Sequence, residues 1–324
     1  MQNKKQGQAS AGFMLMKPLV ETATDRGGVR SLYDVRVHSL VVESDGRVVG
    51  ITARQYGTDI AVRARRGVVL GTGSFAYNES MMARFTPRIA GRPISAVEQH
   101  DGQGIRMAQA LGADLAHTDA TEVAFVVDPQ QLVRGILVNA RGQRYVAEDT
   151  YPGRAGQLTL YHQNDTAYLI LDEAAQEEAL ASQTPKLILR KPKWVCETVA
   201  ELEAEMGLPP PGSLQDTVAR YNEGAARGED PLLHKKARWL RPIGSPVGAI
   251  DLRHATGGFP LGGVAHQPRC RGAARQWRVD PGPVCSRTLH GGSGGMGGYA
   301  SGISLGDGSF YGRRAGGRAA ARGG

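Results

Sequence analysis

The 324-residue chain is poor in cysteine, in aromatics and in unbroken apolar sequence, and each shortage removes a class of protein. Its three cysteines, Cys196, Cys270 and Cys285, are odd in number and share no CxxC spacing. They frame neither a disulfide scaffold nor a zinc site, and no metal is expected; they read as free thiols. Aromatic residues are only 6% of the chain, too few for a platform on which nucleic-acid bases could stack. No window approaches the roughly 18 consecutive apolar residues of a membrane span, and the polar start Met1 to Gln6 has no apolar stretch behind it that would make a signal peptide. A cytoplasmic location is the resulting expectation.

What is present is a 41% hydrophobic content, enough for one large core or two ordinary ones. The net charge of +8 invites a reading as a phosphate binder, but the excess is mostly arginine scattered through loops, and nucleic acid is not expected as a partner. The 44 glycines are about twice the average share and concentrate near the end. Glycine at that density either serves close approach of backbone to a ligand or marks something wrong with the sequence.

Along the chain, Val35 to Val37 and Ser39 to Val42 are β-branched, Ser44 to Gly46 is a turn, and Arg47 to Ile51 returns, which predicts a hairpin or meander. Arg63 to Leu70 runs from polar to apolar and predicts a buried strand ending at the turn Gly71-Thr72-Gly73-Ser74, facing a ligand. Ile105, Ala108 and Leu111 have helical spacing, with Asp101 as N-cap and Gly112 as stop. Strands are expected around Ala140 to Gly142, and helices over 197–206 and 214–226, the latter closed by Gly228 and Pro231. Gly12 to Ala23 is helix-like.

Four stretches, in order, resemble a known family: Arg65 to Asn78 with its Gly71-Thr72-Gly73, Asp101-Gly102-Gln103-Gly104 to Ala108, Gly135 to Tyr151, and Tyr299 to Arg314. The family is that of FAD-binding oxidoreductases which includes fumarate reductase flavoproteins and 3-ketosteroid dehydrogenases, above all the 4-ene (5α) type. The resemblance implies an α/β fold, an incomplete Rossmann-like FAD-binding domain from residues 1–78 and 246–324 with an inserted α+β substrate (capping) domain at 79–245. It implies FAD held by Gly71, Thr72 and Gly73 and by Ser304, Leu305, Gly306 and Asp307, whose backbone N–H groups at a helix start would face the flavin. The Tyr-x-Ser of Tyr299 and Ser301 is similar to the pair that the 4-ene dehydrogenases place over the substrate. Tyr299 is then expected to polarise a ketone, Ser301 to support it and Tyr151 to act as base. The substrate expected is a steroid or similar hydrophobic enone; the electron acceptor stays open. A fumarate reductase-like flavoprotein and an inactive fragment are the alternatives. His254-Ala255-Thr256-Gly257-Gly258 faintly echoes the dicarboxylate-binding pattern, with a structural role as the reading adopted, and Glu148 with Asp149 forms either a carboxylate pair or an ordinary polar loop.

Two departures bound that reading. The strand, GxGxxG turn and helix that hold the FAD pyrophosphate have no counterpart, and Gly292 to Gly297, which matches GxGxxG letter for letter, lacks the flanking strand and is read as a decoy. Between Gly263 and Gly298 the family pattern vanishes and then resumes. Read one nucleotide out of phase, suitable synonymous codons for Val264 to Met296 give Ser-Gly-Glu-Ser-Ile-Pro-Gly-Leu-Tyr-Ala-Ala-Gly within a family-like passage, so this segment is expected to be frame-displaced. Its five arginines against one aspartate supply half of the net charge.

Overall fold

The alternating β-branched residues after Asp34 form an antiparallel meander in the computed structural model, which describes residues 11–182, 189–267, 271–272, 284–285 and 303–321. Its strands are β1 (Val35–Val42), β2 (Val48–Gln55) and β3 (Thr58–Arg63), with β2 central. The turn between β1 and β2 needs Gly46, whose φ of 87° an L side chain rarely adopts. Helix α1 (Ala11–Asp25) precedes the meander and carries Met14, Met16 and Leu19 in the open.

The strand expected over 63–70 is shorter than its apolar run. Arg63 and Ala64 still belong to the meander, Ala64 donating its N–H to the Val49 carbonyl, and β4 is only Val69–Leu70, paired in parallel with Val284–Cys285. Beyond it lie α2 (Glu79–Phe85) and α3 (Gln103–Ala110). Asn78 caps α2 through its side chain, which accepts the Met81 N–H at 3.1 Å. At α3 the N-cap is Gly102, with φ of 75°, and not Asp101. The chain enters this helix through a left-handed residue that favours glycine, and the Asp101 carboxylate serves the first turn from one step outside, accepting the Gln103 N–H at 2.9 Å.

The remaining elements are β5 (Leu115–Ala116), β6 (Thr121–Phe125), α4 (Pro129–Arg134), β7 (Ile136–Val138), α5 (Pro152–His162), β8 (Tyr168–Asp172), α6 (Glu173–Ala181), β9 (Trp194–Cys196), α7 (Val199–Met206), α8 (Ser213–Ala226), β10 (Val247–Asp251), β11 (Thr256–Pro260), β12 (Gly263–Val264) and α9 (Ile303–Ala321). A four-stranded antiparallel sheet runs β7-β8-β10-β9. Strand β8 is buried on both faces: Leu169 and Leu171 pack with Phe125, Leu132 and Ile250, whereas Tyr168 and Ile170 pack with Leu202, Leu214 and Val247. Each such side chain contributes about 1.5–3 kcal/mol on burial. A separate core gathers Leu70, Phe75, Met82, Ile105, Val123, Leu160 and Val264. Helices α2 and α3 share this core with Leu70, and β10 completes the four-stranded sheet between β8 and β9.

Two helices are joined by a carboxylate. Helix α7 opens on a capping box between Thr198 and Glu201. Helix α8 has Gly212 as N-cap and no cap from its own side chain; Glu203 of α7 reaches across and accepts the Gly212 and Leu214 N–H groups at 2.7 and 2.6 Å. Burial pushes the Glu203 carboxyl up, but these bonds together with the one from Gln215 outweigh it and hold it below the usual range.

Four charges are buried together beside β7. Arg144, Glu148, Asp230 and Lys235 have side chains at most 3% exposed, and their formal charges cancel. Glu148 accepts from Arg144 at 2.9 and 3.1 Å, from the Leu137 N–H at 2.9 Å and lies 3.3 Å from Lys235 Nζ. Asp230 accepts twice from Arg144, and Lys235 donates to the Gly135 carbonyl at 2.6 Å. Glu148 and Asp149 therefore form no pair: Glu148 is internal, while Asp149 accepts the Lys236 N–H. Among the described residues no helix is long and apolar enough to cross a membrane. Removing one charge from this quartet leaves its partner buried and unpaired. Glu148→Gln is expected to cost about 3–5 kcal/mol in urea unfolding, and an unchanged midpoint would show the quartet to be dispensable.

Candidate active site

Tyr151 stands at the entrance of α5 because Pro152 follows it. Proline is pre-set for the first helical position and forces the preceding residue into extended backbone; Tyr151 accordingly has φ of −56° and ψ of 126°, and its carbonyl accepts the Arg154 N–H at 2.8 Å. The half-buried phenol donates to Glu122 Oε1 at 3.1 Å. Glu122 sits in β6 and is 7% exposed. Burial pushes its carboxyl above the ordinary carboxylate range, and the hydrogen bond from Tyr151 offsets this only in part.

Two glycines let α5 approach β6 closely enough for that contact. A Cβ on Gly156 would lie 2.6 Å from the Val123 carbonyl oxygen, and one on Gly153 would lie 2.4 Å from the Tyr151 ring and 3.0 Å from Glu122 Oε1. On the other side β6 pairs with β11, Glu122 opposite Phe259, and a Cβ on Gly258 would strike the Glu122 carbonyl at 1.8 Å. Gly257 and Gly258 thus serve strand packing. His254, just before β11, bonds through Nδ1 to Asp165 at 3.1 Å and is 77% exposed. Asp165 also accepts from Arg92 and from Thr256 Oγ1, so His254 caps a polar anchor of the fold.

The turn after β4 is built on a left-handed glycine. Gly73 adopts φ of 79°, and a Cβ there would meet the His100 ring at 2.3 Å. Gly71 and Thr72 lie open at the surface, while Gly73 and Ser74 are buried. The turn is held by the Gly102 N–H on the Ser74 carbonyl at 3.1 Å and the Tyr77 N–H on the His100 carbonyl at 2.9 Å. Thr72 rests against α3, whose Gly104 leaves room for its hydroxyl; a Cβ there would be 1.9 Å away. The structure thereby joins two stretches that are 30 residues apart in sequence, 71–74 and 101–104. Burial lowers the His100 imidazole pKa below its ordinary value.

Ser304, Leu305, Gly306 and Asp307 fall in the first turn of α9, whose leading N–H groups have no acceptor within the helix. Leu305 is 49% exposed, and the Cβ position of Gly306 faces open space. At the other end, Arg66 donates to the Ala320 carbonyl at 3.0 Å, a cation at the helix C-terminus just ahead of β4. Among the described residues, Gly71, Thr72 and Leu305 are thus exposed. The decoy sequence Gly292–Gly297 lies outside the described residues, and so do Tyr299 and Ser301, so Tyr151 is the one expected catalytic residue whose surroundings are seen. Among the described residues no group of His, Cys, Asp and Glu has metal-binding geometry.

Sequence reading missed Glu122 and His100. The signal for Glu122 was a lone carboxylate directly before the apolar run Val123 to Val127, followed later by Pro152-Gly153-x-x-Gly156, whose small face invites a strand. His100 carried no pattern, since its role arises only where Gly73 folds over it.

Comparison with known proteins bears on both segments. A crystal structure of 3-ketosteroid-delta4-(5alpha)-dehydrogenase from Rhodococcus jostii RHA1, in complex with 4-androstene-3,17-dione, superposes with a TM-score of 0.88 at 58% identity, covering 99% of this chain and 66% of that one. The 3-oxosteroid 1-dehydrogenase of Mycolicibacterium smegmatis is 28% identical over 270 residues, 73% of this chain and 47% of its own length. The NADH:acrylate oxidoreductase of Vibrio harveyi is 28% identical over 257 residues, 72% of this chain and 25% of its own. The chain thus spans a quarter to about half the length of these two relatives. Residues 1–276 match the FAD binding domain family, and the chain belongs to that family.

Proposed function

We propose that the protein is a flavin-dependent oxidoreductase acting on a carbon–carbon bond next to a ketone, with a 3-oxosteroid or similar hydrophobic ring ketone as substrate. The observation that carries this reading is the Tyr151 phenol, half-buried and bonded to a buried carboxyl. A neutral hydroxyl so placed suits proton transfer beside a ketone. A dicarboxylate would need cationic holders, and His254, the residue that echoes them, is engaged by Asp165 and turned to solvent. The likeness to the Rhodococcus dehydrogenase, whose structure contains a 3-oxosteroid, supports the same choice.

In this reading residues 1–78 and 246–324 form an incomplete Rossmann-like FAD-binding domain and 79–245 an inserted capping domain. Gly71, Thr72 and Gly73 hold the cofactor, Gly71 and Thr72 from the open surface and Gly73 from a buried position, and the helix start that carries Ser304 to Asp307 favours negative charge. Bound flavin supplies a two-electron acceptor for hydride. Tyr151 takes the proton from the carbon next to the ketone, Tyr299 polarises the ketone oxygen and Ser301 supports Tyr299. Residues 264–296 are a frame-displaced version of a family strand and loop.

Purified chain mixed with FAD and passed through gel filtration is expected to keep a visible flavin band that a 3-oxosteroid bleaches and succinate does not. A colourless protein would mean that this chain is a non-catalytic fragment. Tyr151→Phe should retain the flavin band but slow bleaching by about 10²–10⁴-fold, the range lost with a proton-transfer group; bleaching at the parent rate would remove Tyr151 from the mechanism. Sequencing of the coding DNA should show codons for 264–296 that yield the family-like passage in the displaced frame, and codons that cannot would refute the displacement.

A further inference from the structure

Tyr151 as a base poses a difficulty of its own: a phenol that accepts a proton must lose the one it carries. We propose that Glu122 both orients Tyr151 and takes its proton as Tyr151 accepts one from substrate. This rests on the reading of Tyr151 given above. Three features of the geometry support it. The phenol oxygen is 3.1 Å from Glu122 Oε1, within reach of direct transfer. Glu122 is held on a strand, and Gly153 and Gly258 leave no slack around it. Among the described residues no cation pairs with this carboxyl, in contrast to Glu148, which two cations neutralise.

The surroundings of Glu122 define how it titrates. From α5 it faces Tyr151 and the side-chain-free Gly153; from β11 its register partner is the uncharged Phe259. Among the described residues the titratable group acting on it is Tyr151, and burial is the larger influence. A carboxylate without a cationic partner is a better proton acceptor than an ordinary one, which brings it nearer to the phenol it must deprotonate. Glu122 acts through Tyr151 and is a positioning residue with a proton-accepting role.

The C–H bond next to the ketone breaks and its proton forms a new O–H on Tyr151, while the former Tyr151 O–H breaks and a proton forms O–H on Glu122 Oε1. The electron pair left on carbon would form the new C=C, and FAD, when bound, would supply the two-electron acceptor for the hydride lost from the adjacent carbon. Glu122 then returns its proton to water.

The first test needs no cofactor. Infrared titration of the whole chain, subtracted against Glu122→Gln, should reveal one carboxyl that titrates above the ordinary carboxylate range. In Tyr151→Phe that titration should move further up, because the hydrogen bond removed was favouring the charged form. A carboxyl in the ordinary range, or one indifferent to Tyr151→Phe, would overturn the proposal even if the chain proves to be an active steroid dehydrogenase. The kinetic test applies to FAD-loaded protein. Glu122→Gln should lower the bleaching rate about 10²-fold and abolish the acidic limb of its pH profile, with Glu122→Asp restoring both in part. Gly153→Ala, which pushes the ring aside and leaves the carboxyl intact, should lower the rate similarly while Glu122 still titrates. If the loaded protein shows no bleaching in any form but the infrared shifts occur, the proton coupling stands and the substrate assignment falls; a Glu122→Gln profile that keeps its acidic limb sinks the coupling.

Discussion

Four buried charges that cancel hold the part of the molecule from which the site projects. Taking a carboxylate or guanidinium out of water costs several kcal/mol, and the cost is met only where every partner is in place. Arg144 therefore ties Glu148 to Asp230, and Lys235 ties both to the Gly135 carbonyl at the edge of β7. The chain from Arg144 to Asp149 cannot shift without exposing or orphaning a charge. Tyr151 follows two residues later, and Pro152 converts that fixed approach into a helix start.

The second constraint is the absence of side chains. Helix α5 meets β6 through Gly153 and Gly156, and β11 meets β6 through Gly258, so Glu122 is pressed from both sides by backbone. This is what lets a carboxylate sit buried in a strand with a phenol as its partner. The same device recurs at the candidate cofactor turn, where Gly73 folds over His100 and Gly104 admits Thr72. In both places glycine shortens the distance between two segments remote in sequence. Both places share one hydrophobic core, since Leu70, Ile105, Val123 and Leu160 pack together.

Helix α9 shows how electrostatics complement this packing. Arg66 holds its carboxyl end near the start of β4, while its first turn carries Ser304 to Asp307. A flavin that becomes more negative on reduction is the partner such a helix start favours. In the proposed function this helix start is matched by the turn at Gly71 to Gly73, of which Gly71 and Thr72 lie open at the surface.

Sequence by itself determined the local elements: the meander around Gly46, the helices α3, α7 and α8, the glycine turn after Leu70 and the family. These depend on periodicity, on positive-φ glycines and on motifs read within a few residues. Only the tertiary structure decided that β4 is two residues long, that Gly102 caps α3 in place of Asp101, that Glu148 is internal and that His254 anchors Asp165. It alone brought Glu122 to Tyr151, 29 residues away. The physical reason is that a local pattern fixes backbone conformation, whereas the partner of a buried polar group is set by which remote backbones can approach it, and here that approach depends on glycines whose role is visible only in three dimensions.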